Sequence, residues 1–283
     1  MYLDFYGFQE KPFTITPNPR FVYLSRNHRE VFAHLLYGIE DRCGFVAITG
    51  EVGTGKTTVL RTLLDDLDNE NYRLAFIFNP CLSVLDLLRS IQREFGIDSD
   101  ASEVGDLVHS LNQFLLQQRR DGRTVVLVID EAQNLDPSVL EQIRLLSNLE
   151  TDADKLIQIV LVGQPELGIL LKRRNMRQLN QRIVVRYHLG TMDLHDTCEY
   201  VRHRLTVAGG DDEIFTPAAL KKVYRFSGGL PRLINVLCGR ALLLGFSRDS
   251  KIITARMVAA AIKEVGAPRR NWIQRLAGSL RPF

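Results

Sequence analysis

Two stretches of the chain carry side chains of the types that handle phosphate. The first is Gly50-Glu51-Val52-Gly53-Thr54-Gly55-Lys56-Thr57-Thr58, in which Gly50-x-x-x-x-Gly55-Lys56-Thr57 fits the phosphate-loop pattern in full. Glycines there let the backbone wrap tightly, so that successive N–H groups point inward at an anion. Lys56 would supply positive charge to the β- and γ-phosphates, and the Thr57 hydroxyl can bind Mg2+. A helix beginning at this point turns its positive end to the same phosphates. The second stretch, Val125-Val-Leu-Val-Ile-Asp130-Glu131-Ala-Gln133, closes an apolar run with adjacent carboxylates. Carboxylates so placed lie at the edge where parallel α/β sheets bind ligands. Asp130 would hold Mg2+ through a coordinated water, and Glu131 would orient and deprotonate an attacking water. Together the stretches imply Mg-ATP hydrolysis rather than nucleotide binding alone.

Such residues need a scaffold, and the periodicity of the chain supplies one. A helix is expected over 27–42, where Val31, Leu35, Leu36 and Ile39 recur at helical spacing. The apolar run Phe45–Ile48 then leads into the phosphate loop, and a helix follows from Lys56 to about Leu67. Strands are expected over 73–79, 124–130, 156–163 and 183–189, with helices over 83–95, 103–120 and 137–149 between them. Continuous Val/Ile/Leu runs alternating with amphipathic helices predict a P-loop NTPase α/β fold, a parallel sheet with helices on both faces. From about Asp193 the strands stop, and helices over 194–207, 216–227, 231–246 and 254–265 predict a small all-helical lid domain. The expected organisation is an aromatic and proline-rich linker over 1–24, a nucleotide-binding core over 25–190, the lid over 191–265 and a basic tail over 266–283.

Three further positions narrow the class. The strand over 156–163 is followed by Gln164. Gln164 lies beside the γ-phosphate if that strand neighbours the phosphate-loop strand; otherwise it is a cap or turn residue. A basic stretch, Lys172-Arg-Arg-Asn-Met-Arg177-Gln-Leu-Asn-Gln-Arg182, precedes the last strand. In this it resembles AAA+ proteins, which carry at this point an arginine finger directed at the neighbouring subunit's nucleotide; the resemblance implies Arg182 as the first choice and Arg177 as the alternative. Finally Ser227-Gly-Gly229-Leu-Pro231-Arg232 starts a helix with proline in its first turn, from which Arg232 would project towards the phosphates.

The combination resembles the general secretion pathway protein A (ExeA) family of AAA+ ATPases, a likeness that extends to ATPases of mannose-sensitive pilus biogenesis. It rests on Tyr2-Leu-Asp-Phe-Tyr6-Gly7-Phe8, Lys11-Pro12-Phe13, Thr16-Pro17-Asn18-Pro19 and the phosphate loop, then on Asp130-Glu-Ala-Gln-Asn-Leu135, Val162-Gly-Gln-Pro-Glu-Leu167, Leu179-Asn-Gln-Arg-Ile183 and Gly228-Gly-Leu-Pro-Arg-Leu-Ile-Asn235. The resemblance implies sensor 1 at Gln164, an arginine finger in trans at Arg182 and sensor 2 at Arg232. It places the N-terminal aromatic segment near the nucleotide, with Phe8 and Phe13 packing that segment down rather than stacking on the base. It also implies a homo-oligomer, ring or filament, with ATP and Mg2+ as cofactors. Such an oligomer would be cytoplasmic or peripheral at the inner membrane, working with a membrane-bound secretion or type IV pilus assembly partner. Longer family members continue into a transmembrane helix and a peptidoglycan-binding domain, neither of which is read in these residues, so direct peptidoglycan binding is not expected of them, whether they form a short family member or a truncated one.

Composition sets the outer limits. The 283 residues are 45% hydrophobic and 24% charged, which is ordinary globular protein. A net charge of +3 is too small to argue for nucleic acid by itself. The four cysteines lie far apart with no C-x-x-C pair, so neither zinc nor a disulfide scaffold is expected, and they read as buried, reduced thiols. The tail carries Arg269, Arg270, Arg275 and Arg281 among Trp272, Ile273, Leu276 and Leu280, the pattern of a frayed terminus or of a short basic amphipathic helix. The rival reading is a DNA-binding AAA+ regulator of the transposition (TniB/TnsC) type, using basic residues on DNA phosphates.

Overall fold

Each apolar run that precedes a candidate site residue forms a strand of one parallel sheet. A computed structural model describes residues 2–16, 18–65, 67, 70–78, 83–98, 101–150 and 154–266. The chain forms two units, Arg26–Gly190, and Met1–Ser25 together with Thr191–Phe283. A short helix, α1 (Tyr2–Tyr6), opens the chain.

The first unit runs α2 (Arg26–Glu40), β1 (Phe45–Gly50), α3 (Lys56–Asp65), β2 (Tyr72–Ile77), α4 (Val84–Phe95), α5 (Val104–Arg120), β3 (Thr124–Ile129), α6 (Pro137–Leu146), β4 (Ile157–Gly163), α7 (Pro165–Leu171), α8 (Arg177–Arg182) and β5 (Val185–Leu189). The strands are parallel in the order β2-β3-β4-β1-β5. Ile129 pairs with Leu161 and Thr49 with Gly163, so β3, β4 and β1 all stop at the same edge of the sheet, β3 about two residues earlier. β4 is buried along its whole length, which is why its sequence shows no polar alternation. Leu87, Leu111, Leu115, Leu140 and Ile143 from α4, α5 and α6 are fully buried in the same core. Each such side chain contributes about 1.5–3 kcal/mol on burial. Ser83 caps α4 by accepting from the Asp86 N–H at 3.2 Å, and Gly96 in the left-handed conformation ends it. The helix α7 lies in a stretch to which the sequence reading assigns no element, and α8 in the basic stretch. Both are shorter than the window over which a helical period can be counted.

The second unit contains α9 (Leu194–Val207), α10 (Pro217–Ser227), α11 (Pro231–Ser247) and α12 (Ala255–Val265), all-helical as expected. Residues 1–25 belong to this unit, so the segment read as a linker is packed structure. Tyr6 and Phe8 are buried in its core. The Tyr6 hydroxyl donates to the carbonyls of Leu242 and Ser250 at 3.2 and 3.0 Å, and burial pushes its pKa up to about 12. Gly210 accommodates the Phe8 ring, which a Cβ there would strike. Buried Arg204 donates to the Pro12 carbonyl at 2.6 Å and to the Tyr200 hydroxyl at 2.9 Å, with its guanidinium over the Phe21 ring.

The expectation of uniformly buried thiols is corrected. Cys238 is buried, whereas Cys43 and Cys198 are half-buried, because Cys43 lies in the turn after α2 and Cys198 on a partly open face of α9. Cys81 and the expected basic tail lie outside the described residues. No described helix is long and apolar enough to cross a membrane.

Candidate functional site

Strand β1 delivers the loop Gly50–Gly55 to the carboxyl edge of the sheet, and α3 starts directly at Lys56. Gly53 and Gly55 hold φ of +83° and +94°, backbone that only glycine adopts without cost. Glu51 carbonyl accepts from both the N–H and the hydroxyl of Thr54, at 3.3 and 2.9 Å, which closes the turn. The first N–H groups of α3, those of Lys56, Thr57 and Thr58, have no partner within the helix and would be available to an anion. Val52 stands exposed at the loop tip.

Lys56 is buried, and its ammonium donates to the carbonyls of Gly50 and Glu51 at 2.8 and 3.0 Å. Burial lowers its pKa, while the charges of Glu131, Asp130, Glu51 and Glu166 work in the opposite direction. A residue that the sequence reading passed over braces the loop: the buried ring of His28, on α2, hydrogen-bonds the Thr54 carbonyl through Nε2 at 3.1 Å. Its signal was a polar residue on the apolar face of a predicted helix.

The two phosphate-handling stretches meet. Thr57 Oγ1 donates to Asp130 Oδ2 at 2.5 Å, and Asp130 Oδ1 accepts from the Glu131 N–H at 2.8 Å. A hydroxyl and a carboxylate converging on one point are hard oxygen donors of the kind that suits Mg2+. The residues present therefore fit that ion, and Thr57 and Asp130 would be the ones to hold it, direct or through water. Among the described residues there is no cluster of three or more His, Cys, Asp and Glu side chains able to hold a metal.

Glu131 follows at φ +52°, in the left-handed region, a conformation that costs a non-glycine residue about 1–2 kcal/mol. This turn sends the Glu131 side chain sideways along the sheet edge. Its Oε2 accepts from Gln133 Nε2 at 2.6 Å and from Gln164 Nε2 at 3.1 Å. Gln133 Oε1 in turn accepts from the Gln164 backbone N–H at 3.0 Å. Strand β4 does lie beside β1, and Gln164 occupies the cap position of α7, but its side chain makes no cap bond and reaches Glu131 instead.

Within the same unit, Arg182 bonds a partner outside this cluster. Arg182 ends α8, half-buried, and donates to the Ser147 hydroxyl at 2.6 Å. Arg177 begins the same helix and is exposed. Arg232 is the second residue of α11, exposed, and belongs to the helical unit.

Comparison with known proteins agrees with this architecture. Residues 39–171 match the model of the AAA domain. The chain is 48% identical over 287 aligned residues to general secretion pathway protein A of Aeromonas hydrophila, an alignment covering 99% of this chain and 52% of that protein. The chain thus spans about half the length of this curated relative. A shorter similarity, 32% over 99 residues, covers 35% of this chain and 30% of the ATP-dependent target DNA activator B of Escherichia phage Mu. Among solved structures, the Aeropyrum pernix ORC2 protein superposes with a TM-score of 0.68 at 16% identity, over 91% of this chain and 72% of its own. The RuvB branch migration motor of Thermotoga maritima does so with 0.58 at 16%, over 85% and 70%. At such identities the likeness is one of fold.

Proposed function

Since the chain belongs to the general secretion pathway protein A family of AAA-domain P-loop NTPases, we propose that it is an ATP hydrolase whose nucleotide cycle drives assembly and switching of a homo-oligomer. Gly50–Thr58 would wrap the phosphates, with Lys56 released from its loop carbonyls to neutralise the terminal ones. Mg2+ held by Thr57 and Asp130 would supply charge for the phosphoryl oxygens. Glu131 is the general base that takes a proton from the attacking water, and Gln164 orients groups around the γ-phosphate. Arg182 is proposed to act in trans on the neighbouring subunit's nucleotide, and Arg232 to report nucleotide state to the helical unit. Because Arg182 donates to Ser147 within its own chain, it must exchange that partner to reach a neighbour, and exposed Arg177 is the alternative finger.

The observation that carries this reading is the meeting of Thr57 and Asp130, which brings a phosphate-loop hydroxyl and a strand-end carboxylate to one point. The client is proposed to be a secretion or type IV pilus assembly at the inner membrane, on the strength of the 48% identity to a secretion-pathway protein. A second reading, regulation through duplex DNA, is favoured by the likeness to the phage DNA activator. One experiment tests both: steady-state ATP hydrolysis with and without Mg2+ and duplex DNA, with Glu131→Gln as the blank. Hydrolysis that needs Mg2+, vanishes in the blank and ignores DNA supports the secretion reading. Stimulation by DNA of about tenfold supports the second, and a rate unchanged in Glu131→Gln removes the base assignment.

A further inference from the structure

Gln133 has no place in the reading above, yet it makes both of its amide groups count at the sheet edge. Its nitrogen donates to Glu131 Oε2 at 2.6 Å, and its oxygen accepts from the Gln164 N–H at 3.0 Å. The residue stands two positions past Glu131, in the turn Ala132–Asn134 that follows β3, while Gln164 follows β4. Gln133 thus bridges the ends of adjacent strands, tying the carboxylate on one to the backbone on the other. The neighbouring strand makes room for it: a Cβ on Gly163 would lie 2.6 Å from Gln133 Oε1, so any other residue there would push the amide out.

The chemistry of the arrangement follows from which oxygen is used. Gln133 and Gln164 both donate to Oε2 of Glu131. Two donors on one oxygen fix the plane of the carboxylate and leave Oε1 to receive a proton from water. Glu131 needs such support, since its backbone sits in the left-handed region and its side chain is only half-buried. A carboxylate on a strained turn, without lateral partners, would sample several rotamers, and a misplaced base loses rate steeply.

We infer that Gln133 is a positioning residue for hydrolysis: it orients Glu131 through its amide nitrogen and couples that orientation to Gln164 through its amide oxygen. The inference rests on the proposed ATPase reading and concerns how its base is held. The Gln133 amide is engaged by Glu131 and the Gln164 backbone rather than by the loop Gly50–Gly55, so its loss should act on turnover and leave binding alone.

Gln133→Met preserves length and flexibility without either polar group, whereas Gln133→Glu keeps an acceptor for the Gln164 N–H and loses the donor to Glu131. Steady-state ATP hydrolysis and nucleotide binding would be measured for both and for the unmodified chain, with thermal unfolding alongside. The expected result is a fall in kcat of about ten- to a hundredfold in both variants, with KM and ATP Kd within about threefold. If Gln133→Met fails to fold, the same split in Gln133→Glu decides. Rates within about twofold of the unmodified protein in either folded variant overturn the inference while leaving the ATPase reading intact. An equal loss of ATP affinity and turnover also overturns it, because the residue would then be supporting the whole site. No hydrolysis by the unmodified chain removes the reading and the inference together.

Discussion

Both units bury polar side chains, but they use them differently. In the helical unit the network closes on itself. Arg204 reaches the Pro12 carbonyl and the Tyr200 hydroxyl, Tyr200 donates to Asn235, and Asn235 donates to the Thr14 carbonyl at 3.1 Å. Its polar groups tie the N-terminal segment into the helices, which makes them part of the fold. At the edge of the α/β sheet, Lys56 and Thr57 are also hydrogen-bonded, but to partners that an incoming Mg-nucleotide could replace. Lys56 sits on two loop carbonyls and Thr57 on a carboxylate. Buried polarity that ties distant segments of the chain together is structural, and buried polarity gathered where parallel strands stop is poised for a ligand.

Exchange of one residue from each network should separate the two roles. Lys56→Ala is expected to weaken ATP binding by about a hundredfold or more, since the phosphates lose a charge in a partly desolvated site. Its thermal unfolding should stay near that of the unmodified protein, because a buried ammonium costs desolvation that alanine does not. Titration with a fluorescent nucleotide and a melting curve read both, and unchanged affinity would refute the phosphate-loop assignment. Arg204→Ala should do the reverse. Removing the guanidinium leaves the Pro12 carbonyl and Tyr200 hydroxyl short of a donor and strips packing from Phe21, a loss of about 3 kcal/mol. Denaturant unfolding measures that loss, and limited proteolysis should show the first cut near residues 9–16. An N-terminal segment that stays protected would mean the network is not what holds it.

Gly229 offers a test of next rank within the helical unit. It holds φ of +78°, and a Cβ there would run into the backbone carbonyl of Met192, whose N–H donates to the Gly229 carbonyl at 3.0 Å. Gly229→Ala should cost about 2 kcal/mol from the left-handed backbone and the displaced contact together. Gly228→Ala, at φ +59° with open space around its Cα, should cost about half of that. Equal losses in denaturant unfolding would show that backbone conformation, not the approach of Met192, sets the penalty.

How much of this was legible beforehand follows the same division. The sheet could be read because β3 and β4 are buried on both faces and so appear as unbroken apolar runs. The phosphate loop and Asp130-Glu131 could be read because their chemistry dictates residue type and spacing. Gln133 and His28 could not, since an amide or imidazole declares its role only through the partner that folding supplies. The N-terminal segment was legible as aromatic but not as part of the helical unit. Its partners, Leu242 and Ser250 for Tyr6, lie at the other end of the chain, beyond the reach of any local pattern.

The smallest expected effect also belongs to the closed network and concerns pH. His203, on α9, has a buried Nε2 without a hydrogen-bond partner, and its ring lies 5.8 Å from that of Tyr23. Burial lowers its pKa, the Arg204 charge acts in the same direction, and a hydrogen bond to the Val22 backbone works against both. The folded unit therefore takes up a proton at His203 less readily than the unfolded chain, whose histidines titrate near 6.5. Above that pH the imidazole is neutral in both states and contributes no pH dependence. As pH falls through about 6.5 the unfolded chain gains a proton that the folded unit resists, so stability declines until the lowered folded pKa is passed. Thermal unfolding between about pH 7.5 and 5 should accordingly fall more steeply in the unmodified protein than in His203→Gln. The other histidines are common to both chains and cancel in the difference. Parallel curves would mean that His203 gains a proton in the folded unit as freely as in the unfolded chain, and the network around Arg204 would then be open to water on that side.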